Sequence, residues 1–175
     1  MRRRAFLAAC GTAGLAGCVG ETTTEVPTER AATDTPGART TPELFPGYET
    51  VEVRVTTPEG DLLGSVVAAV ADTPALRFTG LSDTERLPAD RGMLFVYDAP
   101  GEHTYVMRRM DFGIDIVYAD AESAVTSIHH APAPGPDEDG EDQAYSGRGQ
   151  YVLELTYEWT TERGVETGDV LRFDL

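Results

Sequence analysis

Turn residues recurring between short apolar runs predict a mainly β domain, an antiparallel sandwich or barrel that carries one or two short helices. Two observations set this class. "YETVEVRV", residues 48–55, alternates Val51, Val53 and Val55 with charged neighbours, the period of a strand with one buried face. Farther on, four strand candidates follow in close order: Met93–Tyr97, Thr104–Arg108, Ile114–Tyr118 and Ala124–His129. The turn-like stretches "DAPGEH", "MDFG" and "ADAES" fall between them.

In chain order, "PEGD" at 58–61 reads as a turn that folds the first strand onto "LLGSVVAAVA", a run apolar enough for a buried strand. Thr73 then offers an N-cap hydroxyl, Pro74 a preset φ at the first helical position, and Gly80 a stop, which together predict a short helix. Ser82 to Glu85 has the spacing of a capping box around one turn. "APAPGPDEDGEDQAYSGRGQ", 131–150, reads as a loop beyond the ordinary length for a compact domain. Tyr151–Thr156 reads as a strand, Trp159–Arg163 as a helical turn and Val170–Phe173 as the closing strand.

The chain ahead of this domain has a different character. "MRRRAFLAACGTAGLAGC" has a basic start, an apolar middle and a small-residue end, the pattern of an export signal. Arg3, Arg4, Phe6 and Leu7 resemble the twin-arginine export motif, and Leu15-Ala16-Gly17-Cys18 resembles a lipobox, whose Cys thiol is alkylated by a diacylglycerol before cleavage ahead of it. The resemblance implies a signal peptide over 1–17 and a lipid on Cys18 that anchors the protein to the extracytoplasmic face of the cell membrane. Burial of roughly 0.8 kcal/mol per CH₂ makes two such chains a stable anchor where one is marginal. Residues 18–47 are rich in Thr, Pro and Glu with hardly an apolar run, the composition of a disordered tether ahead of a β-domain at 48–175.

Charge narrows the partners. All fourteen basic residues are Arg, there is no Lys or Asn, and thirty Asp and Glu bring the formal net charge to −16. Such a chain repels nucleic acid unless it presents a localised basic face. An acidic, Lys-free surface suits a salt-saturated medium, in which self-repulsion is screened over roughly 3 Å, and we read a halophile. Both cysteines, Cys10 and Cys18, precede the domain, which therefore has no disulfide, thiol nucleophile or Cys-based metal site.

Chemistry within the domain is sparsely signalled. His129 and His130 are adjacent, so on a strand they face opposite ways and cannot chelate one ion; His103 stands near a turn. "PDEDGED" begins like a calcium loop, but Arg148 stands where an EF-hand starting at Asp137 needs its Glu. No metal or cofactor is expected. No serine has a recognisable nucleophile frame, so no catalytic residue is assigned. Asp111 and Asp115 are the one acid pair to consider for glycosidic chemistry, against structural roles as a turn cap and a buried hydrogen-bonded acid. One of Arg108 and Arg109 could enter a pocket with Met93, Phe95, Tyr105, Met107, Asp111 and Asp115, although Met and aromatic residues at strand spacing also build cores.

Four segments carry a family resemblance. "RFTGLSDTERLPADRGMLFVY", "YVMRRMDFGIDIVYAD", "YSGRGQYVLEL" and "RGVETGDVLRF" together resemble the family known as domain of unknown function 192, over about residues 65–175. Gly80, Leu81, Leu87, Gly92, Met93, Phe95, Met107, Asp115, Glu154, Gly168 and Asp169 stand where the family has them. Tyr105 and Val106 replace a Phe-Trp of the pattern, and Arg108, Arg109 and Met110 replace Lys-Asn-Thr. The resemblance implies a small, often exported, jelly-roll-like β-sandwich with short helices, and implies no activity. The reading that follows is a membrane-anchored lipoprotein whose domain is a noncatalytic module for a small-molecule, glycan or protein ligand. A carboxylate-dependent enzyme such as a glycan hydrolase, and a structural envelope protein, are the alternatives.

Overall fold

The computed structural model describes residues 45–82 and 84–175; the export motif, Cys18 and the tether up to residue 44 lie outside them. The described elements are β1 (Glu49–Thr56), β2 (Leu62–Ala71), α1 (Pro74–Thr79), β3 (Arg91–Val106), β4 (Ile114–Ala119), β5 (Val125–Ala131), β6 (Ala144–Thr156), α2 (Trp159–Arg163) and β7 (Val170–Arg172). The strands form one sheet in the order β5-β4-β6-β3-β2-β1-β7. Neighbours are antiparallel except β2 and β3, whose parallel pairing requires the crossover that contains α1. The sheet curls until its outer strands meet: Ala124 bridges Val170, and Val125 N donates to Asp169 O at 2.7 Å. The chain is thus a mainly β, sandwich- or barrel-like domain with two short helices.

Several elements follow from local chemistry. The turn after Thr56 pairs β1 with β2. Thr73 Oγ1 accepts from Leu76 N at 3.3 Å to start α1, and Gly80, at φ 50, ends it by donating its N–H to Leu76 O.

Tertiary pairing overrides local signals elsewhere. "DAPGEH" is not a turn between two strands, because β3 runs through it for sixteen residues. The register against β6 shifts between Val96 and Gly101, so 97–100 stand opposite Gln150 alone in a wide bulge. Pro100, which has no N–H to donate, falls in this unpaired stretch. The second half of β3 pairs with 144–149, so the end of the expected long loop is strand and β6 is thirteen residues long. No helical turn forms among the described residues of 82–85.

Both faces of the sheet are covered. One core draws Val53, Val66, Leu94, Val117, Val125, Leu153 and Leu171 from the seven strands, together with Trp159, and so fills the interior of the curl. The other lies on the outer face, where Met93, Phe95, Ile116, Tyr118 and Val152 meet Leu81, Leu87, Met107 and Met110 from the connections. This is why all six residues of β4 are buried and β2 reads as one apolar run. Phe45, assigned by composition to the tether, is also buried on the outer core, so the folded domain reaches back at least that far.

Asp115 joins the two ends of this architecture. The pleat turns it away from Ile114 and Ile116, and its fully buried carboxylate reaches the start of α2. Oδ1 accepts from Glu158 N at 2.9 Å and faces His130 Nδ1 at 2.7 Å; Oδ2 accepts from Thr160 N at 2.8 Å and Thr160 Oγ1 at 2.6 Å. Asp115→Ala would strand two backbone donors and is expected to cost about 3–5 kcal/mol in urea unfolding, with Asp115→Asn intermediate. A loss below about 1 kcal/mol for the alanine variant would show that water replaces the carboxylate.

Candidate functional site

A cavity of about 200 Å³ opens between α1 and the outer face of the sheet. Arg77 and Phe78 of α1 form one wall, and Phe95 and Tyr105 of β3 with Glu154 of β6 form the base; Arg108, just beyond β3, completes it. Glu154 lies at the centre of the sheet, register-paired with Met93 and Ile116, both fully buried and apolar. Gly92 permits the tight approach of strands here, since a Cβ on it would lie 2.8 Å from Glu154 O.

Glu154 is 5% exposed, and its Oε2 has no hydrogen-bond partner among the described residues. Burial pushes its carboxyl up to about 8, so at neutral pH it is an uncharged acid able to donate a hydrogen bond. Tyr105 and Tyr97 hydroxyls meet at 3.0 Å, and Tyr105 packs edge-on against Phe95. Burial, then the charge of Glu154, pushes the Tyr105 phenol well above its ordinary range. The Tyr118 phenol, on the next strand, is raised as well, by burial first.

Two guanidiniums are held at this site by aromatic faces. Arg77 lies 4.7 Å over the Tyr97 ring and donates to the carbonyls of Asp72 and Val96. Arg108 lies 4.3 Å over Phe78, itself 70% exposed, and donates to Phe78 O. The Arg108 Nε is buried with no partner among the described residues. An unpaired donor and an unpaired carboxyl oxygen therefore belong to side chains lining one cavity.

Of the residues expected to form a pocket, Phe95, Tyr105 and Arg108 do line this one. Met93 and Met107 are fully buried packing in the outer core instead. Asp111 is exposed and lines a separate depression with Arg109 and the loop at 134–140. Asp115 is directed to the other side of the sheet, with all its contacts internal, so it cannot share an open cleft with Asp111; the geometry of a glycosidase pair fails. His129 faces Ser146 O at 3.0 Å and His130 faces Asp115, on opposite faces as the pleat requires. His103 stacks on Tyr97 at 3.6 Å, and burial lowers its pKa. Two of the acids of 137–142 cap their own turns, Glu138 Oε2 accepting from Gly135 N and Asp139 Oδ1 from Glu141 N.

Glu154 and Arg77 were not singled out as site residues from the sequence. Glu154 had a signal: an acid inside the apolar run "YVLEL" is costly to bury unless something pairs with it. Arg77 had none, since its role depends on where α1 docks.

Comparison with known proteins places this geometry. A model of the DUF192 family, described as Uncharacterized ACR, matches residues 54–173. Curated proteins give no match. A crystal structure of a candidate transcription regulator from Sinorhizobium meliloti 1021 is similar at a TM-score of 0.64 and 23% identity, over 72% of this chain and 95% of that one, a likeness that bears on the fold alone. A protein of unknown function from Novosphingobium aromaticivorans DSM 12444 is similar at 0.61 and 26% identity, over 77% of this chain and 94% of that one.

The buried acid makes a stability prediction. Its folded pKa of about 8 exceeds the ordinary 4.5, so folding takes up a proton between these values. Glu154 therefore removes stability progressively as pH rises through that window, with no further loss above it. Glu154→Gln is expected to be more stable than the parent by a margin that widens from pH 5 to 8, reaching about 3–5 kcal/mol by urea unfolding. Parallel pH profiles for the two proteins would contradict a neutral buried acid.

Proposed function

The chain belongs to the DUF192 family, and from that premise we propose that its domain is a noncatalytic binding module for a small ligand, held outside the cell membrane of a halophile by a lipid on Cys18. The observation that carries the binding reading is the pair of unsatisfied polar atoms, Glu154 Oε2 and Arg108 Nε, on side chains lining one cavity. Buried polar atoms in native proteins are nearly always paired, and two without a partner on side chains that line one cavity invite a partner from outside the chain. The polar groups converge from α1, β3 and β6, which favours this reading over a purely structural envelope protein. The enzyme reading on Asp111 and Asp115 has lost its geometric support.

The regulator designation belongs to the Sinorhizobium protein. For this chain, a net charge of −16 argues against nucleic acid as the ligand. The anchoring reading rests on the order and spacing of Arg3, Arg4, Phe6 and Leu7 ahead of the Leu-Ala-Gly-Cys ending at Cys18. The twin-arginine route implied by that motif exports folded proteins, which suits a chain that folds in salt before export.

Two measurements test the proposal. A thermal-shift panel of neutral, cationic and anionic small molecules on the full chain, in molar salt, should contain compounds that raise Tm by several degrees, since a ligand at 100 times its Kd adds about 2.7 kcal/mol. A panel without any such compound would falsify the binding reading. Cys18→Ser should move the protein from the membrane fraction to the medium, and unchanged retention would remove the lipid anchor.

A further inference from the structure

We propose that the cavity under α1 selects a small organic oxyanion, its carboxylate or phosphate head set between Arg108 and the Glu154 carboxyl and its apolar body against Phe78 and Phe95. The proposal rests on the binding-module reading and names the ligand class that this site takes.

Charge is the first argument. In a chain of net charge −16, three arginines gather around Phe78: Arg77 and Arg108 line the cavity, and Arg108 and Arg109 line the adjoining depression with Glu141. Arg77 and Arg108 direct their hydrogen bonds to backbone carbonyls, so neither charge is neutralised by a carboxylate among the described residues. Both are stacked on aromatic rings, which fixes them before a ligand arrives. A fixed cation in an otherwise acidic surface focuses anions.

Protonation supplies the second. Among the described residues the one carboxyl lining the cavity is held neutral by burial at pH 7, so it presents an O–H to an anion where an ionised acid would repel it. Tyr105 on β3 and Tyr118 on β4 feel its charge, and Tyr97 on β3, Arg77 on α1 and Arg108 beyond β3 line the same cavity. Tyr105 and Tyr118 stay uncharged well past the window in which Glu154 titrates, and His103, stacked on Tyr97, is neutral above its lowered pKa. Glu154 is then the group whose ionisation decides anion binding between neutral and alkaline pH. Size is the third argument, because about 200 Å³ is below the roughly 300–1,000 Å³ of sites for drug-sized ligands.

The test is calorimetric titration of the full chain with isosteric probes: benzoate, benzyl alcohol and benzylamine, with phenyl phosphate and inorganic phosphate alongside. At pH 6.5 benzoate or phenyl phosphate should bind at least about tenfold more tightly than the alcohol or the amine, and should weaken about tenfold by pH 9. Arg108→Gln should abolish this binding while lowering Tm by no more than a few degrees for the lost tie to Phe78 O, and Glu154→Gln should retain binding at pH 6.5 and lose the fall at pH 9. Inorganic phosphate matching phenyl phosphate would support a free oxyanion as the ligand, and a weaker inorganic ion would support an organic one. Preference for the amine or the alcohol, or affinity that rises with pH, would overturn the oxyanion class and leave the binding module standing. Silence of these probes together with the broad panel would overturn both.

Discussion

The rest of the domain depends on the hydrogen bonds that Asp115 makes to the start of α2. That helix is five residues long and begins after Glu158, a left-handed residue that provides no side-chain cap. A single turn of helix has no stability of its own in water. The carboxylate from β4 supplies the missing acceptors across 43 residues of chain. With α2 fixed there, Trp159 enters the curled sheet as its largest fully buried side chain, and its Nε1 donates to Ala89 O at 3.1 Å. The chain then passes through Val165 to β7, where Leu171 completes the same interior.

Filling the interior this way forces any ligand site to the outside of the curl. There α1 acts as a roof and contributes no fully buried residue. Leu76 packs partly buried on the outer core, and the polar ties are peripheral: Arg77 to Val96 O, Arg108 to Phe78 O, and the Tyr48 hydroxyl to Leu76 O at 3.3 Å. A roof supported at its margins leaves space beneath it, and the sheet residues below that space are the aromatic rings of β3 and the carboxyl of Glu154. An apolar side chain between Met93 and Ile116 would stabilise the sheet more than a buried acid whose Oε2 has no partner among the described residues. Natural proteins accept such a cost where function requires the group, and the cost here falls on the residue that adjoins the cavity.

The parts of the fold that were legible in the sequence are those set by a few adjacent residues. Thr73, Pro74 and Gly80 specify the ends of α1 through one side-chain cap and one permissive φ. The alternation of Val51, Val53 and Val55 specifies β1, with Val53 and Val55 buried as the period requires. The continuity of β3 was not legible, because "DAPGEH" has the composition of a turn and becomes strand only where β6 pairs on both sides of the bulge. The site was partly legible: Phe95, Tyr105 and Arg108 line it, whereas Met93, Met107 and Asp115 do not. When both faces of a sheet are buried, the pleat tells which residues share a face but not which face holds the space.

What the sequence determined by itself was the class of domain, its local caps and turns, its surface charge and the separate character of the leader, since each depends on composition or on residues a few positions apart. Tertiary structure alone decided that Asp115 caps a helix, that Glu154 is buried next to a cavity, and that Arg77 and Arg108 meet around Phe78. Those outcomes turn on desolvation and charge proximity between residues 30 or more positions apart. Neither quantity exists until the chain has closed.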